Sequence, residues 1–255
     1  MKLNITSKLL SLLVMASLIL TSCGDDKDDD VTPDVGQTSC RLTKVSDDDS
    51  DESVIEYNAK GYVSKVTETD SEDGTEYTVV FTYDSNNNLV KEESFEDGES
   101  DGYYTYEYSN GMLSKIKSYS GGELNYTETL TYDSNKKITK ISDDEGYVMN
   151  FTYSGNNVSE ATVGYMDEIS YKIKYENYDN KLTPYAAIKG MVNPYSGSSQ
   201  NNPGKVTYSY YYEGEEAETA VINYTYQYND KNLPTKITEV DGDDTYVTNF
   251  TYACN

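Results

Sequence analysis

The chain has 255 residues, enough for one large domain or two small ones, and its 45 acidic and 20 basic residues give a formal charge of −25. A surface this acidic repels DNA, RNA and anionic lipid headgroups, so nucleic acid is excluded as a partner. The chain has no histidine, which removes the most common general base and metal ligand. The chain has 28 tyrosines, four phenylalanines and no tryptophan, so most aromatic rings available to the core carry a hydroxyl. We therefore expect a core that is thin or that contacts water along one side.

The N-terminus combines a basic start, a short apolar run and a cysteine. A short basic region precedes a mostly apolar run, residues 9–20, which is too short for a comfortable membrane span. Leu20-Thr21-Ser22-Cys23 follows and resembles a bacterial lipobox, in which the cysteine receives lipid. The alternative is an ordinary secretory signal with an incidental cysteine. We expect residues 1–22 to be a lipoprotein signal peptide and Cys23 to be the lipidation site.

Residues 23–39 are predicted to be an acidic, flexible tether. GDDKDDD follows Cys23 directly, and the segment is polar, lacks periodicity and contains Pro33. The acidic run resembles the export signal that sends lipoproteins of Bacteroidetes-type bacteria to the outer face of the outer membrane. A plain solvated tether is the alternative, and the two are compatible. The resemblance implies an outer membrane lipoprotein that is exposed at the cell surface.

Residues 40–255 are predicted to form one domain built from a repeated β-hairpin. Each unit has an anchor tyrosine at the end of a β-rich stretch, spaced 21 to 26 residues from the next except across one interval of 53 residues. The anchors are Tyr57, Tyr83, Tyr108, Tyr132, Tyr153, Tyr175, Tyr228 and Tyr252. An apolar or aromatic residue lies two positions before each anchor, with a polar residue between them. This alternation predicts strands with one buried face and one wet face.

A second signature follows the anchor after seven or eight residues. It is a lysine flanked by aliphatic residues, as in Val63-Ser64-Lys65-Val66 and Leu113-Ser114-Lys115-Ile116. Turn formers such as DSNNN and SNG lie between the two signatures. Each unit is therefore predicted to be a Tyr-strand, a tight turn and a Lys-strand, and the whole to be an all-β antiparallel meander of about 16 short strands.

This pattern resembles the tyrosine–aspartate (YD) repeats of RHS-type proteins, whose units run Tyr-Asp-x-x-Gly-x-Leu. Residues 57–63 (YNAKGYV) and 108–113 (YSNGML) follow it well, and Tyr83-Asp84 and Tyr132-Asp133 keep the dipeptide without the glycine. RHS-type proteins build shells around toxins, whereas this chain shows no toxin domain. The chain is more similar to uncharacterised Bacteroidetes surface lipoproteins with a porin-like β-barrel, and over residues 40–255 that resemblance implies the same fold.

The two ends of the repeat region are half units. Leu42-Thr43-Lys44-Val45 is a Lys-strand with no Tyr-strand before it, and Phe250-Thr251-Tyr252 is a Tyr-strand with no Lys-strand after it. If they pair, the sheet closes and loses its exposed edges. Cys40 and Cys254 then fall in the turn that is missing between them. We predict a Cys40–Cys254 disulfide, which an exported protein permits; two unpaired thiols are the alternative.

A closed barrel is favoured because a twisted open sheet rarely exceeds about ten strands; a two-sheet sandwich or a curled sheet is the alternative. We expect a soluble barrel, since a membrane-spanning strand needs about 9–11 residues and a tall apolar outer band. Here the apolar face is often only two residues deep, and Ser53 and Glu128 interrupt it.

Residues 176–204 break the repeat. Thr183 is suited to cap a helix with Pro184 at its first position, and Tyr185 and Ile188 give that helix an apolar surface. The interior of a barrel with this many strands is too wide for side chains alone to fill. A short helix that plugs one barrel mouth is one expectation, and a mobile surface loop is the other.

The densest tyrosine cluster supplies the candidate ligand-binding residues Tyr208, Tyr210, Tyr211 and Tyr212. Flat amphipathic rings stack on sugars, and consecutive tyrosines in a strand must point to both faces, so some of them face solvent. The alternative is that they serve only core packing and sheet propensity.

The sequence offers few residues suited to catalysis. No histidine, and no thiol beyond the lipid anchor and the disulfide pair, means no His- or Cys-based nucleophile. The carboxylate pairs Asp143/Asp144 and Asp243/Asp244 lie in predicted hairpin loops and are interpreted as solvated loop tips. We expect a protein that is not an enzyme.

Calcium is the one cofactor for which the sequence offers ligands. Acidic loops at 47–52, at 70–74 and at Asp241, Asp243 and Asp244 carry hard oxygen donors, although none matches an EF-hand loop. We expect no cofactor, with a calcium site as the alternative.

Binding is the function that these patterns favour. We expect a lipid-anchored, non-enzymatic binding module on the cell surface that takes a glycan, a peptide or a host protein. The alternative is a structural or assembly protein of the outer envelope with no small-molecule ligand.

Overall fold

The computed structural model describes residues 40–48, 51–196 and 199–254. The described residues form a closed antiparallel barrel in which consecutive strands are neighbours and the first strand pairs with the last. The strands are β1 (Cys40–Asp47), β2 (Glu52–Tyr57), β3 (Val63–Thr69), β4 (Glu76–Tyr83), β5 (Leu89–Glu96), β6 (Glu99–Ser109), β7 (Met112–Ser120), β8 (Glu123–Tyr132), β9 (Ile138–Asp143), β10 (Tyr147–Ser154), β11 (Asn157–Tyr165), β12 (Glu168–Glu176), β13 (Lys205–Tyr212), β14 (Glu215–Tyr228), β15 (Pro234–Asp241) and β16 (Asp244–Cys254).

The predicted all-β meander, its 16 strands and its closure are confirmed, and the sandwich and curled-sheet alternatives are wrong. The predicted signal peptide at residues 1–22, the lipidation site Cys23 and the tether at residues 23–39 lie outside the described residues. No helix in the described part of the chain is long and apolar enough to cross a membrane.

The seam between β1 and β16 joins the two half units. Cys40 is the direct cross-strand partner of Cys254, and a disulfide links them across a sequence separation of 214 residues. From the disulfide, the strand pairing continues as far as Asp47 opposite Thr248. The predicted disulfide is therefore present, and it replaces the missing turn of one hairpin unit.

A β-bulge lies directly before the anchor tyrosine in each tight hairpin. In β8 the register shifts between Thr131 and Tyr132, which places Tyr132 opposite Ile138. The same shift precedes Tyr57, Tyr83, Tyr108, Tyr153 and Tyr228. At the seam, Leu42 opposes Tyr252 beside a register shift. Because a bulge increases local twist, its regular repetition helps to bend the sheet into a barrel.

The residue after the anchor closes the tight turn. The side chain of Asp84 accepts hydrogen bonds from the main-chain N–H groups of Asn86 and Asn88 at 2.8 and 2.9 Å. Asn58, Asp133 and Asn229 make the equivalent pairs of bonds in their own turns. Asx side chains that bind the backbone ahead of them stabilise tight reversals, which is the physical basis of the Tyr-Asp and Tyr-Asn dipeptides.

Alternation along each strand gives the barrel an apolar inner face and a polar outer face. Ile55, Phe81 and Phe250, two positions before their anchors, are buried on the inner face. Ion pairs lie on the outer face of the strands; they are Lys44–Glu52, Lys91–Glu93, Lys117–Glu107 and Lys174–Glu176. The interruptions at Ser53 and Glu128 are buried on the inner face, so they do not bear on an outer membrane-facing band as the sequence argument assumed.

The segment between β12 and β13 fills the lumen at the end of the barrel where the tight turns lie. Tyr185, Ile188 and Met191 are buried there. The main-chain N–H of Val63 in β3 donates to the carbonyl of Lys189 at 2.9 Å, and the hydroxyl of Tyr195 donates to Glu128 in β8. These bonds reach different sides of the barrel, so the plug interpretation is supported and the surface-loop alternative is wrong.

The expected helix in this plug is replaced by two short 3-10 turns. They cover Pro184–Ala187 and Pro194–Ser196, and the side chain of Thr183 makes no capping hydrogen bond. Gly190 adopts a φ of 92°, outside the helical region. Together with Pro194 it interrupts the segment before a regular helix can extend.

Candidate functional site

Beside the plug, the described residues enclose an acidic and a tyrosine-lined cavity in the lumen. One, of about 420 Å³, lies between the plug and strands β5 to β10 and is called the acidic cavity after Glu92, Glu128 and Asp143 in its lining. The other, of about 430 Å³, is bounded by the plug, by β12 to β16 and by the end of β1. It is called the tyrosine cavity after its lining residues Tyr175, Tyr178, Tyr185, Tyr208, Tyr224, Tyr226 and Tyr246.

Strand β14 contributes an ordered row of rings beside the tyrosine cavity. Tyr224, Tyr226 and Tyr228 alternate with exposed residues. Their ring centroids are 6.5 and 6.0 Å apart in succession, with neighbouring planes inclined by 26°. The hydroxyl of Tyr226 donates to the carbonyl of Pro203 in the plug at 2.8 Å. The row is thus held at a fixed orientation against the plug.

Glu239 lines this cavity from the inner face of β15. It is the direct cross-strand partner of Tyr224. Burial raises the pKa of Glu239 above its ordinary value, and a hydrogen bond from Tyr224 partly offsets that rise. The cavity therefore combines apolar ring faces with a carboxyl group that can accept or share a hydrogen bond.

The predicted tyrosine cluster is divided between the two faces of β13, as expected. Tyr208 lines the cavity and stacks with Tyr210, with centroids 6.3 Å apart and planes inclined by 16°. The ammonium nitrogen of Lys172 lies over the ring of Tyr211, 5.4 Å from the ring centroid. Tyr212 is 72% exposed. Only Tyr208 of the four lines the cavity; Tyr224 and Tyr226 were missed, although the period-two tyrosines of NYTYQY in β14 carry the same signal.

The tyrosine cavity reaches the end of the barrel opposite the plug. Asp47 and Asp48, at the end of β1, border it there together with Tyr246 near the start of β16. The acidic cavity reaches the same end, because Asp143 is the last residue of β9 and Tyr147 the first of β10. Both cavities therefore approach the mouth that carries the acidic hairpin loops.

Two inner-face carboxylates, Glu92 and the buried Glu128, face the acidic cavity; the sequence analysis noted Glu128 only as an interruption of the apolar face and did not name Glu92. Glu92 accepts a hydrogen bond from the hydroxyl of Tyr106 at 2.8 Å, and Glu128 accepts one from Tyr195. Burial raises the pKa of both glutamates, and the tyrosine hydrogen bonds partly counter this. Both residues occupy strand positions that carry an apolar or aromatic residue in most other units, so a glutamate at such a position is the signal that could have identified them.

The loop carboxylates behave in two ways. Asp143 accepts hydrogen bonds from the N–H groups of Gly146 and Tyr147, both at 2.7 Å, yet it also lines the acidic cavity. It is therefore more than the solvated loop tip that was expected. Asp144 is exposed and accepts a bond from the N–H of Thr127 at 3.0 Å; Asp243 is exposed as well.

The predicted calcium ligands Asp241, Asp243 and Asp244 lie at the exposed β15–β16 hairpin, where Asp241 and Asp244 are cross-strand partners. Within residues 40–48, 51–196 and 199–254, no group of three or more acidic or cysteine side chains is arranged to hold a metal ion. A calcium site at these aspartates stays a prediction.

No protein-family model matches the sequence, and no curated protein matches it. Solved structures do match. A porin-like protein from Bacteroides uniformis ATCC 8492 aligns over 84% of this chain and 95% of that chain, with a TM-score of 0.54 and 13% identity. A porin-like protein from Bacteroides vulgatus ATCC 8482 aligns over 84% of this chain and 98% of that chain, with a TM-score of 0.41 and 12% identity.

A third match is TcdB2-TccC3 without its hypervariable C-terminal region, over 81% of this chain and 9% of that chain, with a TM-score of 0.32 and 16% identity. The Bacteroides uniformis structure establishes a likeness of fold, while the other two are too distant to carry an argument. The fold is thus similar to that of a porin-like β-barrel protein, as the sequence resemblance implied.

Proposed function

We propose that this chain is a lipid-anchored binding module at the outer face of the outer membrane, and that it binds a glycan in the tyrosine cavity without chemically altering it. The observation that carries the proposal is the row of oriented tyrosine rings beside a cavity of about 430 Å³. That volume falls in the range of about 300–1,000 Å³ typical of small-molecule sites. The ring faces match the apolar faces of sugar rings, and the phenol and carboxyl groups match sugar hydroxyls.

The outer face of the barrel supports anchoring by lipid rather than by the strands. Ion pairs such as Lys91–Glu93 and Lys117–Glu107 project from the outside of the strands, where a lipid-facing wall needs an apolar band about 25 Å tall. The proposed anchor is Cys23, followed by the acidic segment that resembles a surface-export signal. The plug occupies the tight-turn end, which favours a binding cavity over an open channel.

The test uses the fragment that begins at residue 24, since the barrel closes on itself within residues 40–254. The fragment is screened on a broad glycan array, once with calcium and once with chelator. Dose-dependent binding to defined glycans is expected. If glycan binding is lost in chelator and is also lost in the Asp243→Asn variant, the binding site would instead be the acidic β15–β16 hairpin.

Variants then locate the site. Tyr208→Ala and Tyr224→Ala should abolish glycan binding, while Tyr212→Ala, at an exposed position, should leave it unchanged. Tyr224→Phe keeps the ring and should retain part of the affinity. Equal effects of Tyr208→Ala and Tyr212→Ala would contradict a site in the lumen. Bound glycan recovered intact supports a binding module, and recovered fragments would indicate an enzyme.

If no glycan on the array is bound, the alternative of a structural or assembly protein is favoured. Affinity capture from cell envelopes would then be the next step, with the disulfide-bonded fragment as bait.

A further inference from the structure

The acidic cavity pairs aromatic rings with carboxylates and is separated from the tyrosine cavity by the plug. Its aromatic lining consists of Tyr104, Tyr106, Tyr126, Tyr147 and Tyr195. Glu92, Glu128 and Asp143 are its carboxylates, and none of the described residues that line it is a lysine or an arginine. The face of a tyrosine ring and a carboxylate both attract a cation, and the attraction grows where water is excluded.

The hydrogen bonds of the two glutamates do not neutralise them. The partners of Glu92 and Glu128 are tyrosine hydroxyls, which are uncharged donors. A carboxylate can accept several hydrogen bonds, so each glutamate keeps acceptor capacity that one tyrosine does not use. A cation placed between them offsets the cost of burying the carboxylate charge.

Asn193 in the plug supplies a second and independent indication of a ligand. The residue is 3% exposed and lines the acidic cavity. Its Oδ1 accepts a hydrogen bond from the N–H of Tyr195 at 3.1 Å, which fixes the orientation of the amide. Its Nδ2 has no hydrogen-bond partner within the described residues. Because buried donors are almost always paired, this unpaired donor on a residue that lines the cavity is available to an acceptor oxygen of a ligand.

We propose that the acidic cavity binds a small organic ammonium ion that also carries a hydroxyl or carbonyl oxygen. The cationic group lies against the tyrosine rings and close to Glu92 and Glu128, and the oxygen accepts a hydrogen bond from Asn193. The ligand enters from the mouth where Asp143 and Tyr147 lie. This site does not rest on the glycan proposal, because the two cavities lie on opposite sides of the plug and share no lining residue.

Choline and its uncharged isostere 3,3-dimethylbutan-1-ol form a matched pair of probes. Each is titrated by calorimetry into the fragment that begins at residue 24. Choline should bind, and the isostere should bind about tenfold more weakly or worse, because it lacks only the positive charge. Ethanolamine and glucosamine, each compared with its uncharged counterpart, extend the panel to primary amines. If no ammonium compound binds more tightly than its uncharged counterpart, the proposal is overturned.

Variants test the assigned residues. Glu92→Gln keeps the shape and the hydrogen bond to Tyr106 but removes the charge; it should weaken choline binding about tenfold while leaving the melting temperature unchanged or higher. The control is Glu68→Gln, which removes a buried inner-face glutamate that lines neither cavity. It should leave choline affinity unchanged. Equal loss in both variants would show that net charge, and not this cavity, governs binding.

A ligand-side comparison tests Asn193. Tetramethylammonium has the cation of choline without the hydroxyl, so it should bind more weakly than choline to the parent protein. That difference should shrink in Asn193→Leu, which removes the buried donor. Equal binding of choline and tetramethylammonium to the parent would overturn the assignment of Asn193.

Discussion

The hydroxyl of Tyr132 donates a hydrogen bond to the main-chain carbonyl of Leu113 in the preceding strand, with 2.7 Å between the two oxygens. The pairing of β7 with β8 ends at Lys115 and Thr129, so this carbonyl lies two residues beyond the last paired position. The same bond joins Tyr57 to Leu42, Tyr153 to Ile138 and Tyr252 to Pro234. At these positions a tyrosine hydroxyl therefore supplies the hydrogen bond to a carbonyl that lies beyond the end of the backbone pairing. Phenylalanine has no hydroxyl and cannot make this bond.

Tyr132→Phe should lower the free energy of unfolding by about 1 kcal/mol, the typical net value of one hydrogen bond. The ring remains, so packing against the core is retained. Denaturant titration of the disulfide-bonded protein measures the change. Tyr165→Phe is the control, because Tyr165 is 48% exposed and lies at the opposite end of the barrel. Equal effects of the two substitutions would show that the hydroxyl bond to Leu113 contributes nothing.

Removing the Cys40–Cys254 disulfide should destabilise the barrel strongly. On the chain-entropy model, a link across a sequence separation of 214 residues contributes about 5 kcal/mol. The double variant Cys40→Ser/Cys254→Ser and the reduced parent should both show the loss in denaturant titrations. Amide exchange should accelerate most in β1 and β16, which form the seam, and least in β6 and β7. Uniform acceleration in all strands would indicate that the seam does not open first.

Closure was predictable from the sequence because it depends on local patterns. The Tyr-strand and Lys-strand signatures reveal each hairpin, so a lone Lys-strand at Leu42 and a lone Tyr-strand at Tyr252 imply a shared unit. The position of Cys40 and Cys254 within that unit then implies the disulfide. Register in a hairpin is set by its turn and bulge, and these lie within a few residues of each other.

The cavities were not predictable in the same way. Their linings combine strands that are far apart in sequence, and the space between them depends on the barrel radius and on the plug. In the sequence Glu128 is visible only as an interruption of an apolar face, and neither glutamate can be given a role, since a charged residue in an alternating strand shows its surroundings only when the inside of the barrel is known. The plug was located from the broken repeat, but its 3-10 turns depend on Gly190 and on contacts with distant strands.

Gly190→Ala should loosen the plug. A Cβ at this position would lie 2.5 Å from Cδ1 of Tyr62 and 2.9 Å from the hydroxyl oxygen of Tyr83, at a backbone φ of 92°. Overpacking of this kind costs about 1–3 kcal/mol. We expect a lower melting temperature and faster amide exchange across residues 184–192.

The control for this substitution is Gly74→Ala. Gly74 has a φ of 79°, and a Cβ added to it would have no neighbouring atom within 4 Å among the described residues, so its replacement tests backbone strain alone. The difference between the two variants therefore isolates the contacts with Tyr62 and Tyr83. Exchange in residues 184–192 that is unchanged by Gly190→Ala would show that the segment is not held by these contacts.

The pH dependence of stability should reveal the buried Glu68. Its carboxylate accepts a hydrogen bond from the hydroxyl of Ser53 at 3.3 Å. Burial, aided by the nearby carboxylates of Asp51 and Asp47, raises the pKa of Glu68 from 4.5 to about 7. Between these two pKa values the folded state keeps a proton that the unfolded chain has released. Stability should therefore fall as pH rises through this window, by at most about 1.4 kcal/mol per pH unit from this group.

Denaturant titrations at pH 5 and pH 7.5 measure this slope. Glu68→Gln should make the dependence shallower, because glutamine has no proton to lose. The dependence should not vanish, since burial also raises the pKa of Glu92, Glu128 and Glu239. Glu76→Gln, at an exposed position at the start of β4, removes one negative charge without removing a buried carboxyl. The same slope in Glu68→Gln as in the parent would contradict a proton held by Glu68 in the folded barrel.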